Sequence, residues 1–122
     1  MTKRILTIDD SKTIRDMLAV TLEGAGYDVV QAEDGQQGLD ALASNGPVDV
    51  IITDINMPVM DGITFIKNVR SDPANRRLPI LVLSTEGSGD IKQKGRDAGA
   101  TGWLVKPFDP DKLISVVRKV TP

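Results

Sequence analysis

Five short apolar runs, at 5–8, 29–30, 48–53, 79–83 and 103–105, are spread along the 122 residues, and most are continuous rather than alternating in polarity. A strand that is apolar on both faces must be covered on both, and a parallel sheet between two layers of helices provides that cover. The intervening segments read as helices. Ile14, Met17, Leu18, Thr21, Leu22 and Ala25 recur at spacings of three and four and end at Gly26, predicting a core-facing helix. Asp34 with Gln37 forms a capping box for the next helix, which Gly46-Pro47 stops. Ile63, Ile66 and Val69 mark a third, ended by Asp72-Pro73, and Asp109-Pro110-Asp111 supplies a cap, a first-turn proline and a favourable dipole charge for the last. In 88–98 only Ile91 and Ala98 offer an apolar face, while Gly89 and Gly95 each lower helix propensity by ~1 kcal/mol. That helix is expected to be weakly docked and mobile. Five strands alternating with five helices predict an α/β fold, a doubly wound five-stranded parallel sheet with right-handed crossovers, in one domain covering 1–122.

Composition narrows the chemistry. Lys and Arg number 15 against 17 Asp and Glu, a formal charge of -2, so no basic field exists to hold nucleic-acid phosphates or anionic lipid. With no cysteine and no histidine, disulfides, thiolate nucleophiles, the usual zinc ligand sets and every Ser-His or Cys-His pairing are excluded. Any reaction must run on carboxylates, lysines and hydroxyls. No apolar run reaches the length of a signal-peptide core or a membrane span, and the expected compartment is the cytoplasm.

In a doubly wound sheet the ligand site lies outside the carboxyl ends of the strands. The residues there are Asp9-Asp10, Asp54, Ser84-Thr85 and Lys106-Pro107, from four separate parts of the sequence. Three carboxylates crowded at one end of an apolar sheet repel one another unless a hard cation compensates, and hydrated Mg²⁺ fits such a donor set best. A lysine and a hydroxyl nearby suit the oxygens of a phosphoryl group. Each residue also has a plainer reading. Asp10 or Ser11 can cap the helix that starts near Lys12, Asp54 can stabilise the turn that follows it, Ser84 and Thr85 can be satisfied strand-end hydroxyls, and Lys106 can be a solvated amine. Their joint placement favours a phosphoryl-transfer site.

Asp9-Asp10, Asp54 within the stretch Asp54-Ile55-Asn56-Met57-Pro58-Val59-Met60-Asp61-Gly62, Ser84 and Lys106-Pro107-Phe108 resemble a response-regulator receiver domain over essentially the whole chain. The similarity is greatest to single-domain CheY-type chemotaxis regulators, with no output domain expected. The resemblance implies a flavodoxin-like strand order 2-1-3-4-5 and a phosphoacceptor role for Asp54, whose carboxylate takes a phosphoryl group from a histidine kinase of the chemotaxis type. It implies that Asp10, Asp54 and the backbone carbonyl of Asn56 ligate Mg²⁺, that Asp9 acts through a metal-bound water, and that Lys106 pairs with the phosphoryl oxygens. Ser84 then carries the switch hydroxyl, and Thr85 is structural. Asn56 and Glu86 are the pair found in rapidly self-hydrolysing chemotaxis members, so a short-lived phosphoryl group is expected. The Lys106-Pro107 peptide is cis in the family, with Pro107 fixing the aim of Lys106. Trp103 stands where the family usually carries Tyr or another aromatic, which makes the fourth helix, fifth strand and fifth helix the expected output face.

The resulting expectation is a monomeric signalling protein rather than an enzyme. Its expected partners are a flagellar motor switch protein or another phosphorylation-gated target and a dephosphorylating helper, without nucleic acid or membrane insertion. A phosphate sink on the same chemistry is the alternative. An aspartyl-nucleophile phosphohydrolase needs an acid/base Asp two residues after the nucleophile, where this chain has Asn56. An FMN carrier needs a phosphate loop after the first strand, where Asp9-Asp10 would repel the phosphate, and a non-phosphorylated interaction module leaves the acidic residues unused.

Overall fold

Continuous apolar runs alternating with period-3.6 segments produce five strands and five α-helices among the described residues: β1 (Arg4–Ile8), α1 (Lys12–Gly24), β2 (Asp28–Ala32), α2 (Gly35–Ser44), β3 (Val50–Thr53), α3 (Gly62–Ser71), β4 (Ile80–Ser84), α4 (Gly89–Ala98), β5 (Gly102–Val105) and α5 (Pro110–Val120). They belong to a computed structural model that describes residues 2–44 and 46–121. All strand pairs are parallel and the order is β2-β1-β3-β4-β5, as the resemblance implied.

The continuous runs identify the central strands well. β3 and β4 are buried at every position, and β1 at all but its first. Alternate residues feed two cores. Leu6, Ile8, Ile51, Ile80 and Val82 meet Phe65, Ile66 and Val69 on one face of the sheet. Ile5, Val50, Ile52, Leu81 and Leu83 meet Leu18, Leu22, Leu113 and Val117 on the other. Each fully buried side chain of this kind contributes roughly 1.5–3 kcal/mol relative to exposure. The expectation of strands buried on both faces fails at β2 and β5, which are only partly buried because they form the two edges. β3 also starts at Val50 rather than at 48.

The helix ends follow their capping chemistry. The Ser11 hydroxyl accepts from Ile14 N, so it is Ser11 and not Asp10 that caps α1. Asp34 caps α2 through Gln37 N at 2.9 Å, but the Gln37 side chain returns to Glu33 N, one residue before the cap. Asp61 caps α3 through Thr64 N, and Asp109 caps α5 with Pro110 in its first turn. The stripe expected on α1 is displaced by about one position. Arg15, Leu18, Ala19 and Leu22 are buried, whereas Met17 is 47% exposed. A charged residue on the inward face shifts the phase that apolar residues alone suggest. The segment after Asp72-Pro73 adds a short 3₁₀ turn, Pro73–Asn75.

Candidate phosphoryl and cation site

Register places the carboxylates. Ile8 pairs with Thr53 across β1 and β3, so the next residues, Asp9 and Asp54, leave the sheet side by side. Asp9 N donates to Ala32 O at 3.1 Å and Asp54 N to Ile8 O at 3.0 Å, extending the ladder one step beyond each strand. Ligand oxygens of Asp9, Asp10 and Asp54 all lie within 4.8 Å of one another. Asp9 and Asp54 are buried and Asp10 is exposed. Lys106, carried past the end of β5 by Lys106 N to Ser84 O at 2.8 Å, reaches back over the same point. Its ammonium lies 2.7 Å from Asp9 Oδ2 and 2.8 Å from Asp54 Oδ2. Lys106 is thus no solvated amine. Burial by itself lowers its pKa, but the hydrogen bonds it donates to Asp54 and Asp9 and their negative charges outweigh burial and leave it raised.

One lysine against three carboxylates leaves the cluster negative. The donors are oxygens, one of them solvent-facing, which fits a hard divalent cation. The Lys106-Pro107 peptide is cis.

The loop after Asp54 is held by close backbone approach. Gly62 N donates to Ile55 O at 2.8 Å, and a Cβ on Gly62 would collide with the Asp54 carbonyl oxygen. Asp54 Oδ1 accepts from Ile55 N at 2.7 Å, leaving Oδ2 to Lys106. Between these anchors Val59 has φ +69° and is 81% exposed, with Met60 N bonded to Pro58 O at 2.7 Å in a three-residue turn.

The remaining candidates gather at residue 86. Asn56 Nδ2 donates to Glu86 Oε1 at 2.8 Å, Glu86 N donates to Ser84 Oγ at 3.1 Å, and Trp103 Nε1 donates to Glu86 O at 2.9 Å. Ser84 is fully buried and Thr85 exposed. The indole lies against Gly95 of α4, where an added Cβ would sit 2.7 Å from Trp103 Cζ3. The sequence counted Gly95 only as a propensity loss and missed that the indole occupies its missing side chain. Gly95 and Ala98 are buried and Ile91 half-buried, giving α4 more inward contact than Ile91 and Ala98 alone suggested. Beside Trp103, a groove of about 460 Å³ is lined by Lys92, Val105, Phe108 and Lys112. Arg15 was also missed, although a cation at i followed by Leu18, Ala19 and Leu22 at i+3, i+4 and i+7 was visible.

With strand order, acidic cluster and bridging lysine in place, the comparisons agree on the class. Residues 5–118 match the response regulator receiver domain, and the chain belongs to that family. It is 40% identical over 111 residues to the chemotaxis protein CheY1 of Helicobacter pylori, covering 90% of each chain. Among solved structures it is similar to the chemotaxis response regulator CheY4 of Vibrio cholerae, at 48% identity and TM-score 0.91, covering 98% of this chain and 99% of that one. It is also 42% identical over 115 residues to the DNA-binding transcriptional regulator RpaA of a Synechocystis strain, of which it spans only 47%. No helix among the described residues is long and apolar enough to cross a membrane.

Proposed function

We propose that the chain is a phosphoacceptor of the CheY type, in which Asp54 takes a phosphoryl group from a phosphohistidine or a small acyl phosphate. The observation that carries this reading is Lys106 bridging Asp9 and Asp54 at the centre of three converging carboxylates. A carboxylate oxygen of Asp54 forms the new bond to phosphorus as the donor's P–N or P–O bond breaks, and the donor leaves with that electron pair. Asp10, Asp54 and the Asn56 carbonyl would hold Mg²⁺, with Asp9 contributing through a bound water. When bound, Mg²⁺ supplies charge neutralisation for the phosphoryl oxygens. Lys106 then exchanges its Asp54 contact for a phosphoryl oxygen while keeping Asp9. The Ser84 hydroxyl turns to the same group, and Glu86 N, which it now accepts from, is released.

Asn56 and Glu86 stand together at the mouth of the site, consistent with a role in controlling how water reaches the acyl phosphate, and a short phosphoryl lifetime follows. The outlet is the groove of Trp103, Phe108, Lys92 and Lys112, where two lysines against the one carboxylate of Asp109 leave a net positive rim around apolar side chains and suit an acidic amphipathic segment of a target protein. The kinase is of the chemotaxis type and the target a flagellar motor switch protein, with the protein acting as a cytoplasmic monomer and not as a turnover enzyme.

The test is binding of a flagellar-switch N-terminal peptide from the source organism, in Mg²⁺, with and without beryllofluoride as phosphoryl mimic. At least tenfold tighter binding with the mimic, absent in Asp54→Asn, is the expected result. Unchanged binding despite confirmed mimic uptake replaces motor control with a phosphate sink. Steady turnover of phosphate esters overturns the acceptor reading altogether.

A further inference from the structure

Asp9 is fixed at more points than its carboxylate alone requires. Its N–H is bonded to Ala32 O, its Oδ1 accepts from Ser11 N at 2.9 Å, and its Oδ2 accepts from Lys106. Its carbonyl oxygen, which belongs to the peptide linking it to Asp10, accepts from Arg15 Nη1 at 2.7 Å. Arg15 is 8% exposed, and burial of a guanidinium is costly unless it is used. Its other arm reaches Glu33 Oε1 only at 3.6 Å, and Glu33 is largely exposed, so this is a loose surface contact worth little. The short bond is the one to the Asp9 carbonyl.

We propose that Arg15 is a positioning residue for the cation site, acting through the Asp9 carbonyl to set the plane of the Asp9–Asp10 peptide. Asp10 is exposed and no hydrogen bond to its carboxylate is seen among the described residues, so its direction depends on that peptide. Clamping the carbonyl holds both Asp carboxylates toward Asp54. The guanidinium approaches from the α1 side and touches none of the three carboxylates, leaving their oxygens for a metal. This inference rests on reading the cluster as a Mg²⁺ site.

Charge and positioning predict opposite signs. Removing a cation from beside three carboxylates strengthens divalent binding by Coulomb attraction alone, whereas releasing the Asp9–Asp10 peptide weakens it. Isothermal titration of the intact protein with Mg²⁺ decides between them, alongside thermal unfolding without metal. Arg15→Met is expected to raise the Mg²⁺ dissociation constant about tenfold, and Arg15→Lys, which keeps the charge but loses the fork, to raise it less. A merely structural role lowers the unfolding midpoint and leaves the dissociation constant of the folded protein unchanged. An unchanged or tighter Mg²⁺ constant in Arg15→Met overturns the proposal. If that variant does not fold by circular dichroism, Arg15→Lys decides, and an unchanged constant there overturns it. Wild-type protein that binds no Mg²⁺, or Asp10→Asn that binds it equally well, defeats the underlying cation reading instead.

Discussion

Lys106 answers two buried carboxylates with one ammonium, so its removal strands charge rather than deleting a single bond. Lys106→Met should destabilise the metal-free protein by about 3 kcal/mol. The pH dependence has a definite direction. Because the folded pKa is raised above the unfolded one, the stabilisation is complete below the ordinary lysine value and is lost as pH rises through the folded value. Chemical unfolding of wild type across the alkaline range should show this decline, and Lys106→Met should lack it. Both partners of Lys106 were legible in the sequence as strand-end acids. The contact itself was not, because Lys106 and Asp54 lie 52 positions apart and a side-chain distance across the end of the sheet is not written in either segment.

At the scale of elements, α4 shows why propensity misled. Gly95 weakens a helix in isolation, yet here the indole of Trp103 fills the volume a Cβ would need. Gly95→Ala should gain up to about 1 kcal/mol of helix propensity and lose ~1–3 kcal/mol to overpacking. The net expectation is a loss of about 1 kcal/mol in urea unfolding. Target affinity should also change, because the displaced ring gives up its bond to Glu86 O. Whereas the Asp61 cap of α3 came only with the structure, the central strands, the caps at Asp34 and Asp109, and the order of elements follow from local pattern. The phase of α1 does not, since Arg15 occupies an inward position that an apolar template assigns to its neighbours. The pairing of Gly95 with Trp103 likewise joins a helix to the strand that follows it, eight residues on, and the periodicity of neither element alone describes that contact.

For the whole molecule, the parallel order of five strands gathers the five strand-to-helix loops at one end, and that end carries more negative charge than its lysine balances. The native state should therefore be the form that binds a divalent cation. Mg²⁺ at a hundredfold excess over its dissociation constant should raise stability by about 2.7 kcal/mol. Differential scanning calorimetry with and without Mg²⁺ measures this, and Asp10→Asn should abolish the gain. The one tryptophan of the chain has a further consequence. Its ring rests on Gly95 while its N–H is tied to the carbonyl of Glu86, whose side chain meets Asn56 two residues beyond Asp54. Ultraviolet emission excited at the red edge therefore originates at a single chromophore packed on α4 and hydrogen-bonded to the residue that meets Asn56. The chain thus carries an optical gauge of that contact, readable without any attached dye.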